Sequence, residues 1–114
     1  MKIDVLDQAT VLYLEGNILD ETAMADTLSF YEIESNNWKN KRVIVDLTQV
    51  HVINSIGINL LIRLLTKTRI KGGDLVLTGL QDKVAQVVQL TKLNDVFKIS
   101  KDIDQAINIL NQTK

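Results

Sequence analysis

A short β-branched run, Arg42-Val43-Ile44-Val45-Asp46-Leu47, and a second short apolar run, Asp74-Leu75-Val76-Leu77-Thr78, flank one long apolar-periodic stretch from Ile56 to Ile70. Neither run alternates apolar with polar residues, which is the pattern of strands covered on both faces. A strand, a helix and a second buried strand in this order form a right-handed crossover, so the two strands lie parallel in one sheet. The helix between them is bounded at both ends. Asn54 and Ser55 can cap its start, Arg69 and Lys71 suit the negative end of its dipole, and Gly72 offers a left-handed stop before Gly73 leads into the next strand.

The same logic extends to the rest of the chain. Beyond Gly79, Asp82 is placed to cap a helix whose Val84, Val87 and Val88 share a face. Phe97-Lys98-Ile99 is a short strand, and Ile103, Ala106, Ile107 and Leu110 fall at i, i+3, i+4 and i+7 of a last helix. Upstream, Met24, Leu28 and Tyr31 mark a helix from about Glu21 that stops at Asn36-Asn37. Before it, Ile3 and Val5, then Val11 and Tyr13, alternate with Asp4, Thr10 and Glu15, and Asp7-Gln8 supplies the turn of a β-hairpin. The predicted order is β-β-α-β-α-β-α-β-α: an α/β domain with an N-terminal antiparallel hairpin, parallel βαβ units and about four helices.

The periodicity runs unbroken from Ile3 to Leu110, with no linker, repeat or low-complexity segment, so residues 1–114 are expected to form a single domain. At this length a core forms without staples, and there is no cysteine to supply them. That absence removes disulfides, thiolate metal sites and cysteine nucleophiles, and it suits a reducing, cytoplasmic setting. With 13 basic against 14 acidic side chains, nothing in the overall charge favours direct nucleic-acid or anionic-membrane binding. Met1-Lys2-Ile3-Asp4 does not open a signal peptide, and the longest helical apolar stretch is cut by Asn59 and Arg63, so no membrane insertion is expected.

Common catalytic signatures are missing: there is no phosphate-binding glycine loop, no dinucleotide fingerprint, no zinc-protease helix and no nucleophile elbow. His51 is the single histidine, four positions before Ser55 and among Val50, Val52 and Ile53, where it reads as a loop or sheet-edge residue. Asp102 and Asp104 are the closest carboxylate pair; near a helix start, their reading is capping. The residues predict no catalytic group, no metal and no cofactor. Trp38, ahead of Lys39-Asn40-Lys41-Arg42, either stacks a base or anchors a solvated loop. The helix after residue 55 carries Ile58, Leu60, Leu61, Ile62, Leu64 and Leu65, so it either exposes part of an apolar surface or is sandwiched between sheet and neighbour.

Asn54-Ser55-Ile56-Gly57 stands out because it joins the carboxyl side of a central strand to a helix amino terminus, the edge at which open α/β sheets concentrate ligands. First-turn amides lack intrahelical partners there, and the helix dipole favours negative charge. With Asn54 as cap, the Ser55 hydroxyl occupies the first helical position and points to solvent, and Gly57 keeps the approach open. The alternative is that Asn54 and Ser55 only cap the helix and Gly57 only lets it pack closely on the sheet.

These residues resemble a known family. Val43-Ile44-Val45-Asp46-Leu47 followed by Val52-Ile53-Asn54-Ser55-Ile56-Gly57-Ile58 is similar to the strand and Asp-Ser-Ser/Thr-Gly-Leu signature of anti-sigma factor antagonists, which are STAS-domain proteins. Gly72-Gly73-Asp74-Leu75-Val76-Leu77 resembles the family's Gly-Gly turn, and Leu90-Thr91-Lys92-Leu93-Asn94-Asp95-Val96-Phe97 its late leucine–phenylalanine segment. Gly16, Asp20 and Thr22-Ala23 resemble its first loop, although a gapless alignment puts Leu19 at the loop's aspartate. Asn54 stands where the family usually has aspartate, and Ile56 replaces the second hydroxyl residue.

The resemblance implies a STAS-like mixed sheet and a switch protein, not an enzyme. Ser55 would be phosphorylated by an anti-sigma factor that is also a serine protein kinase, and a serine phosphatase would reset it. The unphosphorylated form would bind that kinase and release a sigma factor, regulating transcription. Asn54, Ser55, Ile56, Gly57, Gly16 and Asp20 would form the partner-binding surface. Two alternatives stay open: a STAS scaffold or transport accessory subunit that is never phosphorylated, and a small-molecule-binding or hydrolytic domain built on Ser55 and His51.

Overall fold

The structure is a computed structural model describing residues 2–16, 20–38 and 41–112. Met1, Leu19, Lys39 and Asn40, on which parts of the amino-terminal, loop and basic-cluster expectations fall, lie outside the described residues. The elements are β1 (Lys2–Val5), β2 (Thr10–Glu15), α1 (Glu21–Ser35), β3 (Arg42–Gln49), α2 (Ser55–Ile70), β4 (Asp74–Thr78), α3 (Asp82–Leu90), a 3-10 turn (Leu93–Asp95), β5 (Lys98–Ser100) and α4 (Ile103–Gln112). The sheet runs β1-β2-β3-β4-β5, the first pair antiparallel and the others parallel, as the crossover argument requires.

Side-chain alternation along the covered strands divides the core in two. Leu12, Leu14, Val43, Val45, Leu47, Leu75 and Leu77 face α1, α2 and α3, while Val11, Ile44 and Val76 face Ala106 and Leu110 of α4. Helix α2 contributes the most to the larger core through Leu60, Leu61, Leu64 and Leu65, each worth about 1.5–3 kcal/mol of apolar transfer at full burial. Ile58 is half-buried and Ile62 exposed, so the sandwiched reading of this helix holds for five of the six apolar residues in question.

Three local expectations are corrected. β2 does not alternate: Thr10 is as buried as Val11 and Leu12, because β2 lies inside the sheet between β1 and β3 and is covered on both sides. Asp82 is not the cap of α3 but its first residue; Gln81 holds the cap position, and its amide reaches across to the Thr48 carbonyl at 2.8 Å. Phe97 precedes β5, buried where its N–H closes the 3-10 turn on the Leu93 carbonyl at 2.8 Å.

The amino edge of the sheet is closed by side chains from different elements. The Thr68 hydroxyl donates to the Leu64 carbonyl at 2.7 Å, leaving its oxygen to accept from Tyr31. Burial raises the Tyr31 pKa and the adjacent Glu32 charge adds to this, against the opposing hydrogen bond to Thr68. Trp38 meets Tyr31 edge-on at 5.4 Å and 81°, the loop-anchor reading of that tryptophan. Glu32–Lys67 at 2.8 Å and Lys71–Ser35 at 2.6 Å join α1 to α2 and its carboxyl end. Asp74, the first residue of β4, holds Lys98 at 2.7 Å and Arg69 at 3.6 Å. Burial works against its charge, but the Lys98 and Leu75 N–H hydrogen bonds and the two cations outweigh that and hold its carboxyl below the usual range. Gly72, at φ +87°, provides the left-handed stop of α2, and Gly73 passes directly against the Lys41 backbone.

Candidate functional site

The carboxyl edge is built differently. β3 ends where Asp46 Oδ1 accepts from the Thr48 N–H at 2.9 Å and the Thr48 hydroxyl at 2.6 Å. Gly16, where the chain leaves β2, and Gln81, ahead of α3, are tied to that strand end: the Gly16 N–H donates to the Gln49 carbonyl at 3.1 Å and the Gln81 amide to the Thr48 carbonyl. Gly16 takes the left-handed conformation, φ +71°, as the chain leaves β2. Asp20 caps α1 by accepting from the Ala23 N–H at 2.8 Å.

At the start of α2, Asn54 is the cap, and its Oδ1 accepts from both Ile56 N–H (3.0 Å) and Gly57 N–H (3.1 Å). Ser55 is the first helical residue and is exposed. Among the described residues its hydroxyl makes no hydrogen bond, so it has no capping duty. Of the two readings left open by spacing, capping therefore belongs to Asn54 alone. Gly57 lies in phase with Leu60, Leu61 and Leu64 and is buried, so it serves helix–sheet packing rather than opening the approach to Ser55. Ile56 is half-buried and packs on the larger core.

The structure thus puts Gly16, Asp20, Asn54 and Ser55 on one edge of the sheet. It does not join His51 to Ser55: no hydrogen bond links them, as activation of a serine nucleophile would need. His51 is exposed in the β3–α2 connection and, with Val52, Gln81, Asp82 and Lys83, lines a shallow cleft of about 260 Å³. Asp102 Oδ1 accepts from the Gln105 N–H at 2.8 Å and so caps α4, as its spacing predicts. Among the described residues no group of three or more His, Asp or Glu side chains is placed to hold a metal ion, and no helix is long and apolar enough to cross a membrane. Sequence reasoning missed the ties from Gln81 and Asp46 to Thr48. The Asp46-Leu47-Thr48 spacing carried a local signal for the second; the first depends on a contact between distant segments.

A family model described as the STAS domain matches residues 1–106. Among solved structures, a candidate anti-sigma factor antagonist from Thermotoga maritima superposes with a TM-score of 0.82 at 21% identity, over 96% of this chain and 93% of that one. The anti-sigma factor antagonist SpoIIAA in its unphosphorylated form matches with a TM-score of 0.76 at 17% identity, over 99% and 97% of the two chains. A sulfate transporter family protein from Wolinella succinogenes matches as well, with a TM-score of 0.77 at 19% identity, over 96% and 93%. At these identities the structural matches establish the fold.

Proposed function

The chain belongs to the STAS-domain family, and within it we propose that this protein is an anti-sigma factor antagonist gated by phosphorylation of Ser55. One observation carries the reading: the Ser55 hydroxyl is exposed at the first position of α2 while Asn54 alone caps the helix. The likeness to the anti-sigma factor antagonist SpoIIAA supports it at the level of fold. In this reading the unphosphorylated chain binds an anti-sigma factor that is also a serine protein kinase, in the cytoplasm, and a serine phosphatase restores the binding form.

The charge mechanism follows from the cap. A phosphate adds about −1.5 to −2 units at neutral pH. The amides of Ile56 and Gly57 already serve Asn54, so the new oxygens have no cluster of vacant first-turn donors to reorganise. The helix stays as it is, and the phosphate acts on the partner, by leaving a charge that must be desolvated or repelled on docking. Asn54, being neutral, adds no carboxylate beside that phosphate.

The test is incubation with a kinase-type anti-sigma factor and ATP, followed by intact-mass measurement. A gain of one phosphate, lost in Ser55→Ala, is expected; no gain, or a gain that persists in Ser55→Ala, overturns the assignment. Ser55→Asp should weaken partner binding with an unchanged far-UV spectrum. The second reading, a transport accessory subunit, rests on the match to the sulfate transporter family protein and is favoured if the chain takes no phosphate but binds a transporter.

A further inference from the structure

The two longest helices carry opposite charge. In α1, Glu21, Asp26, Glu32 and Glu34 face no basic residue of the same helix; in α2, Arg63, Lys67 and Arg69 face no acidic one. Among the described residues, only Glu32 and Lys67 neutralise each other across the helix pair. On the solvent side the two helices also expose aliphatic and aromatic surface that the fold does not use: Phe30 is 42% exposed, Ile33 66%, Ile62 37% and Ile70 79%. Asp26 and Arg63 are exposed on the same layer, and no ion pair joins either to another residue of the chain among those described. A layer with one acidic half, one basic half and apolar residues on both is complementary to itself.

The geometry points to a second copy of this chain as the occupant of this face, related by a two-fold axis that runs along the groove between α1 and α2. Such an axis sets α1 of one copy on α2 of the other and the reverse, an isologous contact. It also preserves height along the helices, and the existing cross-helix contacts fix which heights correspond. Tyr31 meets Thr68, Glu32 meets Lys67 and Ser35 meets Lys71, so α1 positions match α2 positions about 36 residues later. Across the two-fold, Asp26 then faces Arg63 of the other copy, and Ile33 faces Ile70, each pair occurring twice. The two helices are about 22 and 24 Å long and together about 20 Å wide, which gives roughly 900 Å² over both copies, at the low end of specific interfaces. The expected association is weak and reversible, about tens of micromolar.

This inference does not rest on the Ser55 switch, and its test uses the unmodified full chain. Sedimentation velocity from about 5 to about 500 μM should show a monomer–dimer equilibrium that weakens with added salt. Asp26→Lys and Arg63→Glu should each weaken it by at least about tenfold, because each places like charges face to face twice. An equimolar mixture of the two single variants, and the double variant Asp26→Lys/Arg63→Glu alone, should each restore it. Both side chains are exposed, so unchanged circular dichroism and melting midpoints confirm that the variants are folded. A chain that stays monomeric over the whole range overturns the proposal and leaves the face to a different partner. A dimer indifferent to both single variants overturns it too, as would a double variant that fails to recover.

Discussion

The two edges of the sheet are held by different kinds of contact. At the amino edge the bonds cross between elements distant in sequence: Tyr31 to Thr68, Glu32 to Lys67, Ser35 to Lys71, Asp74 to Lys98. At the carboxyl edge most side-chain bonds are local, spanning two or three residues: Asp20 to Ala23, Asp46 to Thr48, Asn54 to Ile56 and Gly57, Asp102 to Gln105. Long-range cross-links oppose unfolding of the whole domain, whereas local caps satisfy each helix end and leave the surface beyond it open. The edge that carries Ser55 is thereby made available without loosening the fold.

Perturbing the amino edge should cost most. A Cβ at position 73 would run into the Lys41 carbonyl and side chain, neither of which can yield cheaply. Gly73→Ala should therefore destabilise by about 3 kcal/mol, read as a lower urea midpoint at unchanged slope. A near-normal midpoint would show that the β3–β4 entry is more plastic than this packing implies. Next, Asp74→Asn should cost about 1–2 kcal/mol at neutral pH, through lost charge-assisted bonds to Lys98 and Arg69. The folded pKa of Asp74 is depressed, so its contribution is complete above the unfolded value near 4 and disappears as pH falls through the folded value. The gap between wild type and Asp74→Asn should thus close in acid; a gap that persists well below that range would assign the effect to shape instead of charge.

The carboxyl edge should respond less. Asn54→Ala removes the acceptor for two amides and should cost about 1 kcal/mol by thermal or urea unfolding. Ser55→Ala should change stability by no more than about 0.5 kcal/mol. If the two substitutions cost the same, the serine shares the capping role and the separation between the edges is less sharp than the bonds suggest.

The buried strands and the four helices were legible because period and capping are local properties, and both survive in the chain as written. Asn54, Gly72 and Asp102 do what their positions predict. The errors arise where a distant segment decides the outcome. Thr10 has the composition of an exposed strand position, yet covering on both faces of β2 buries it, and among the described residues its hydroxyl has no hydrogen-bond partner. Asp82 is the better cap by residue type, but the helix starts one residue earlier because Gln81 is drawn to Thr48, 33 positions away. At the candidate site, spacing located Ser55 and Asn54 but could not divide the labour between them. It also gave Gly57 two roles, and helix phase selects the inward one.

The ties from Gly16 to Gln49 and from Gln81 to Thr48 fasten the residue that leaves β2 and the residue that opens α3 to the end of β3. A partner approaching this edge would meet a β4–α3 connection already held to β3 by the Gln81 amide, so less conformational entropy would remain to be lost there on association. Less of the contact energy is then consumed in fixing loops, and a single change of charge at the rim represents a larger share of the net binding free energy. If Ser55 is the switch, its sensitivity to one added group would follow in part from how firmly the neighbouring β4–α3 connection is held.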